Sequence, residues 1–136
     1  GVRALLSSRV VRLLPRLAFR SAHRSNAIAL VFGNGRTVDS CLVLAVEADG
    51  SEILTVEGLA GEGGLSPLQA AFLDKGAVQC GFCIPGQLMS AHVLLKEHPH
   101  PTRDEIEEGM AGNLCRCACY EQIFDAIRTT ADGADR

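Results

Sequence analysis

The chain has 136 residues, of which 47% are hydrophobic, so it can bury one good core or two small ones. Its formal net charge is only −3, and no uninterrupted apolar run approaches the roughly 20 residues that a membrane-spanning helix needs. These totals argue against a membrane span.

The charges are distributed unevenly along the chain. Residues 1–38 contain seven arginines and no acidic residue, whereas residues 39–136 contain all 16 acidic residues and only six basic ones. Two parts that differ this much in charge are expected to serve different purposes.

Residues 1–26 form a basic segment with three possible interpretations. Arginine without any acid is typical of an organelle-targeting presequence. A basic arm for nucleic acid is a second interpretation, but a single aromatic residue, Phe19, and the absence of lysine speak against it. The interpretation we favour is a leader that is disordered or not native, and we expect no nucleic-acid partner.

Residues 27–57 show short apolar runs that are separated by turn signals. Residues 27–32 and 36–38 flank Asn34-Gly35, and residues 41–46 and 53–56 flank a second signal, Asp49-Gly50. This pattern predicts two β-hairpins. Two hairpins rarely fold alone, so this segment must pack on the following helices or on a partner.

Residues 58–65 are rich in glycine and predict a linker into an all-helical region, residues 66–132. Ser66-Pro67 predicts the start of one helix, and Thr102 with Glu105 predicts a capping box for another. Helical spacing of apolar residues predicts the inward faces, and His92 falls on a helix surface. The inward positions are Leu68, Ala71 and Phe72, then Ile84, Leu88, Ala91 and Leu95, and finally Tyr120, Ile123, Phe124, Ile127 and Ala131.

Four of the six cysteines form two close pairs in the helical region, Cys80 with Cys83 and Cys115 with Cys117. Close pairs suit a metal or cluster site, because one turn of backbone can direct both thiolates at one centre. Disulfides are a weaker alternative, since a C-x-C bridge is strained. Zinc is the stronger alternative, because all-cysteine zinc sites also use paired cysteines.

The sequences around these cysteines resemble a known family. Residues 77–86 (AVQCGFCIPG) and 112–117 (GNLCRC) are similar to the iron–sulfur small subunit of the molybdenum hydroxylases, and the similarity extends over residues 32–131. Xanthine dehydrogenase, aldehyde oxidase and aerobic carbon monoxide dehydrogenase form this family. The resemblance implies a cytoplasmic oxidoreductase subunit that passes electrons from a molybdopterin centre through a 2Fe–2S cluster toward a flavin or quinone.

The resemblance also implies an α+β fold, in which a partial plant-type ferredoxin-like β-sheet precedes a C-terminal four-helix bundle that binds a 2Fe–2S cluster. It makes Cys80, Cys83, Cys115 and Cys117 the cluster ligands. It further implies that Gln79 contacts the pterin, and that Cys117 bridges the pterin and the cluster. The partners would be a large molybdopterin-binding subunit and a medium FAD-binding subunit. A zinc-stabilised or non-redox interaction module is the alternative, and no substrate-converting catalytic residues are expected.

The chain departs from the family pattern at two places. The ferredoxin cluster would need cysteines at Ser21, Asn26 and Ala29, and only Cys41, its fourth position, is a cysteine. One cluster is therefore expected instead of the family's two, with Cys41 as a buried small residue. Cys119 stands where the family usually has a small residue, often glycine. Its position two residues after Cys117 leaves substitution as a ligand as one alternative, and we expect a free thiol at the start of the last helix.

Overall fold

The computed structural model describes residues 6–7, 10–11, 28–32, 35–44, 46–47, 51–61 and 63–133. Short strands precede four helices along these residues, which confirms the predicted α+β class. The strands are β1 Leu6–Ser7, β2 Val10–Val11, β3 Ile28–Phe32, β4 Thr37–Asp39 and β5 Ile53–Leu54. The helices are α1 Pro67–Asp74, α2 Ile84–Glu97, α3 Arg103–Met110 and α4 Tyr120–Gly133.

The strands form one antiparallel sheet in the order β1-β2-β5-β3-β4. The predicted pairing of the first two apolar runs is confirmed, with Val31 of β3 opposite Thr37 of β4. Gly35 lies in the turn between them at φ +79°, a left-handed conformation that glycine adopts without steric cost. Asn34 of the predicted turn lies outside the described residues.

The second predicted hairpin is wrong. A 3-10 helix, Ser40–Leu42, follows β4 directly, and Leu42 is 77% exposed. β5 pairs with β3 and β2 instead of with residues 41–46. The reason is that β5 already has β3 on one side and β2 on the other, so it has no free edge for a further strand. Asp49-Gly50, the predicted turn, lies outside the described residues.

β1 and β2 lie within the segment that was expected to be a leader outside the fold. β1 pairs with β2, and Val11 of β2 pairs with Ile53 of β5. The four residues of β1 and β2 therefore differ from that expectation. Valine favours a strand, and the second edge of β5 offers unpaired backbone groups that β2 satisfies. The other residues of 1–26, including Ser21 and Asn26, lie outside the described residues, and the domain boundaries stay predictions.

The capping box predicted for Thr102 and Glu105 is confirmed, and the helix start predicted at Ser66 is confirmed and forms a second capping box, with Gln69. Ser66 accepts from the Gln69 N–H at 3.3 Å while the Gln69 side chain accepts from the Ser66 N–H at 2.8 Å. Thr102 and Glu105 make the same reciprocal bonds at the start of α3. These bonds satisfy N–H groups that a helix start leaves without partners, and so they fix where α1 and α3 begin.

The core lies among the four helices. Its most completely enclosed large residues include Phe72 of α1, Ile106 of α3, and Ile123 and Ile127 of α4. Tyr120 and Phe124, which were predicted to face inward, are partly buried and pack against this core. The packing places the α1–α2 loop beside the α3–α4 loop. None of the helices in the described part is both long and apolar enough to cross a membrane.

Candidate metal centre

The first cysteine pair lies in the loop between α1 and α2. Gly76, at φ +66°, follows the end of α1. The next residue, Ala77, is completely buried and so fixes the chain just before the cysteines. Gly81 has φ +82°, and its carbonyl accepts from the Ile84 N–H at 3.3 Å. The chain therefore reverses between Cys80 and Cys83, which directs two nearby thiols into the same region.

The second pair lies in the loop between α3 and α4. The Cys115 carbonyl accepts from the Ala118 N–H at 3.3 Å, which closes a turn over Cys115-Arg116-Cys117. Ala118 has φ +59°, a left-handed conformation that is uncommon for a residue other than glycine. The turn leads directly into α4, where the Cys119 carbonyl accepts from the Ile123 N–H at 3.0 Å.

Three buried polar side chains tie the two loops together. Gln87 of α2 donates from Nε2 to the carbonyl oxygen of Asn113 at 3.2 Å. Asn113 in turn donates from Nδ2 to Ser90 Oγ at 2.8 Å. All three residues are at most 8% exposed. Because α2 begins directly after Cys83, these bonds hold the loop of the second pair against the helix that carries the first.

Gln87 and Ser90 support the site, although neither was predicted to do so. The signal was present, since both polar residues lie within the otherwise apolar part of α2, beside Leu88 and Ala91. A buried polar side chain needs a hydrogen-bond partner, but the sequence did not reveal that Asn113, more than 20 residues later, would supply it.

The four predicted thiols meet two by two, across the loops. Cys80 lies close enough to Cys117, and Cys83 to Cys115, for each thiol to affect the ionisation of the other. Cys83 and Cys115, called the inner pair, are buried. In the outer pair, Cys80 is exposed and Cys117 is partly exposed. All of them are free thiols. Within the described residues, no three or more His, Cys, Asp or Glu side chains are grouped as ligands of a single ion.

The outer pair is arranged so that one sulfur ionises more readily than the other. The N–H of Phe82 and the thiol of Cys117 donate to the Cys80 sulfur, and they lower the pKa of Cys80. The N–H of Cys80 is the largest single influence and favours an ionised Cys117. Interaction with the Cys80 side chain, burial and the nearby charges of Cys80 and Cys115 together outweigh it and raise the pKa of Cys117. Cys80 is thus the better thiolate of this pair.

In the inner pair, too, one sulfur ionises more readily than the other. Burial opposes ionisation of Cys115, but donors that include the N–H groups of Cys119 and Cys117 and the thiol of Cys83 lower its pKa. Burial and donation to Cys115 raise the pKa of Cys83 to about 12. Burial also raises the pKa of Cys119, which keeps it a thiol. Backbone N–H groups near Cys115 therefore favour its ionised form, which is the form that binds a metal.

These residues fit a two-iron, two-sulfide cluster. Such a cluster takes two thiolates on each iron, and the chain presents two thiol pairs next to each other. Gln79 is exposed next to Cys80. Two apolar side chains near the cysteines are also exposed, Phe82 by 56% and Leu114 by 75%. The outer pair thus lies at a partly apolar surface. Cys41 comes well before these four cysteines in the sequence, in the 3-10 helix after β4.

Known proteins resemble this chain in sequence. The 2Fe-2S binding domain family matches residues 55–128. The nicotinate dehydrogenase small FeS subunit of Eubacterium barkeri is 49% identical over 102 residues, which cover 75% of this chain and 64% of that protein. The nicotine 6-hydroxylase small subunit of Paenarthrobacter nicotinovorans is 52% identical over 94 residues, which cover 69% of this chain and 56% of that protein.

A solved structure resembles this chain in both sequence and fold. Quinoline 2-oxidoreductase from Pseudomonas putida 86 superposes with a TM-score of 0.76 at 39% identity, over 93% of this chain and 88% of that one. The chain thus spans 64% and 56% of the two curated relatives, while its fold matches most of the solved chain. The chain belongs to the iron–sulfur small subunits of the molybdenum hydroxylases, through the 2Fe-2S binding domain that residues 55–128 form.

Proposed function

We propose that this chain is the electron-transfer subunit of a molybdenum-containing hydroxylase. Cys80, Cys83, Cys115 and Cys117 hold one 2Fe–2S cluster, which lies between a molybdopterin centre and a flavin or quinone acceptor. The observation that carries the proposal is the approach of Cys80 to Cys117 and of Cys83 to Cys115, within a domain of the 2Fe-2S binding family.

The cluster would supply the chemistry by accepting and releasing one electron at a time. The protein's contribution is to bind, shield and orient it. Burial of Cys83 and Cys115 keeps water from one side of the site, and the exposed Cys80 leaves the other side open to a partner. N–H groups of Phe82, Cys117 and Cys119 stabilise the negative charge on the ligand sulfurs.

The open side is also where a partner subunit would bind. By family resemblance, Gln79 would contact the pterin of a large molybdopterin-binding subunit, and Cys117 would lie between the pterin and the cluster. Gln79 is exposed, and the neighbouring Phe82 and Leu114 offer apolar surface that a partner could bury. A medium FAD-binding subunit would then receive the electrons.

Anaerobic reconstitution with iron and sulfide tests the cluster. The full chain should turn red-brown, bleach with dithionite, and contain about two iron atoms and two sulfides per chain. A colourless protein that binds one zinc ion instead would favour the zinc-stabilised module. Close to four iron atoms per chain would contradict the single cluster.

Co-expression with a large and a medium subunit tests the partners. The three chains should copurify, and the Leu114→Asp variant should weaken the complex without loss of iron. The matched control is Leu73→Asp, because Leu73 is comparably exposed, at 55%, but lies in α1 and not beside a cysteine. Equal effects of the two variants would overturn the proposed surface.

A further inference from the structure

Arg103, the first residue of α3, joins this helix to α4. Its Nη1 and Nη2 donate to the two carboxylate oxygens of Glu121 at 2.9 and 2.7 Å, and its Nε donates to Glu107. The carbon atom of its guanidinium group also lies 4.7 Å from the centroid of the Phe124 ring. A two-pronged carboxylate pair and a cation–π contact therefore hold Arg103 on the first turns of α4.

The contact between Arg103 and Glu121 closes the segment that carries the second cysteine pair. The two residues are 18 positions apart, and Cys115 and Cys117 lie between them. A loop whose ends are already held together has fewer conformations than a free one, so less entropy is lost when its thiols take fixed positions. The contact therefore favours the closed arrangement that a cluster needs from this loop.

Both residues that Arg103 contacts on α4 also lie beside Tyr120. Glu121 is the next residue in the sequence, and the ring of Phe124 lies beside that of Tyr120. The hydroxyl oxygen of Tyr120 accepts a hydrogen bond from the N–H of Cys115. Arg103 is thus connected to Cys115 through the first turn of α4.

The Arg103 contact is exposed, and exposed ion pairs contribute little as a rule, because water and salt screen them and two long side chains lose freedom. This contact differs, since both carboxylate oxygens accept, the guanidinium covers an aromatic ring, and two separate helices are joined. The chain also has an ordinary pair for comparison. Arg128 donates to Asp125 at 2.7 Å, but both residues belong to α4, so this pair joins no second element.

We propose that Arg103 is a positioning residue for the cluster: by holding Glu121, it keeps the loop of Cys115 and Cys117 closed and slows the loss of iron. This inference rests on the proposed function, because it requires these two cysteines to be ligands. Arg103 acts through α4 and not as a ligand itself. Its contribution lies in how long the cluster is held, and not in whether the ligands are present.

The experiment measures how fast the reconstituted full chain loses the visible absorbance of its cluster in excess EDTA, without oxygen. Arg103→Gln and Glu121→Gln should each hold about two iron atoms per chain and lose them roughly threefold faster than the original chain. The double variant should lose iron no faster than either single variant, because all three lack the same contact. Arg103→Lys keeps the charge without the two-pronged geometry, so its rate should lie in between.

Salt provides a second measurement. Raising sodium chloride from about 0.05 to about 0.5 M should speed the loss of iron from the original chain and leave the Arg103→Gln variant nearly unchanged, since salt screens an exposed ion pair. A side chain that contributed only packing would not respond to salt in this way.

Two control variants leave the contact intact. Arg128→Gln breaks the pair within α4, and Ile123→Val removes a methyl group from a completely buried side chain and so lowers stability. Both should lose iron at nearly the original rate. An unchanged rate in Arg103→Gln would overturn this inference alone, as would an equal acceleration in Ile123→Val. An original chain that binds no iron would overturn the proposed function as well.

Discussion

The hydroxyl oxygen of Tyr120 accepts a hydrogen bond of 2.7 Å from the backbone N–H of Cys115. Tyr120 is the first residue of α4, and its ring lies 6.4 Å from that of Phe124, centroid to centroid. The helix thus holds the loop of the second cysteine pair by a side chain that is itself fixed by packing. Cys115 therefore owes its position to α4 as well as to its own turn.

Replacing Tyr120 with phenylalanine should leave the Cys115 N–H without this partner. We expect a loss of about 1 kcal/mol in the free energy of unfolding, because the site is only partly buried and water can partly compensate. Urea unfolding of the reconstituted chain measures it. Cluster content should be nearly unchanged, and a variant as stable as the original chain would contradict a structural role for this bond.

Replacing Cys83 or Cys115 with serine should abolish the cluster and destabilise the helical region. Each change removes an inner thiolate, and metal binding contributes to the free energy of folding. Absorbance and iron content measure the first effect, and thermal unfolding by circular dichroism measures the second. Cys41→Ser is the matched control and should retain the cluster. Retention in the Cys83 and Cys115 variants would disprove the assigned ligands.

Replacing Asn113 with alanine should cost about 1–3 kcal/mol of stability, since it removes the amide that donates to the buried hydroxyl of Ser90. The carbonyl of residue 113 still accepts from Gln87, so the effect isolates the side chain. Ser90→Ala removes the other partner of the same bond. A double-mutant cycle with denaturant unfolding should give a non-additive pair, and strict additivity would show that the bond contributes nothing.

The pH dependence of stability should contain a contribution from His92. Burial, together with the nearby charge of Lys96, lowers the pKa of His92 below its ordinary value of 6.5. The unfolded chain then takes up a proton near pH 6.5 that the folded chain resists, so stability is full above this pH and falls as the pH decreases toward the folded pKa. His92 was expected on a helix surface, but it is partly buried.

The His92→Gln variant tests this contribution by denaturant unfolding between pH 7.5 and 5.5, a window chosen around the ordinary value of 6.5. Its stability should fall less than that of the original chain. Asp74 and Lys75, which line the same groove as His92, remain unchanged in both proteins. Identical pH profiles would show that His92 titrates equally in the folded and unfolded chain.

A chain that starts at Ala27 should still bind the cluster, because all the assigned ligands lie in residues 80–117. It should nevertheless be less stable or more prone to aggregate, since loss of β2 leaves one edge of β5 unpaired. Iron content and light scattering measure the two effects. Loss of iron would mean that residues 1–26 support the cluster site.

Local sequence signals were sufficient for the helical part. Ser66 with Gln69 and Thr102 with Glu105 determine two helix starts, because a cap satisfies N–H groups within three residues of itself. The close cysteine pairs are equally local, and a single turn accounts for each. Short-range hydrogen bonding and helical periodicity need no knowledge of the rest of the chain, and so these features could be predicted from the sequence.

The tertiary structure decided which groups meet across the chain. Cys80 pairs with Cys117, Gln87 binds Asn113, and β5 inserts between β2 and β3. Each contact joins residues more than 20 positions apart, and its formation depends on how helices and strands pack and not on any local preference. The sequence alone therefore determined the thiols and helices, whereas packing decided which thiol faces which.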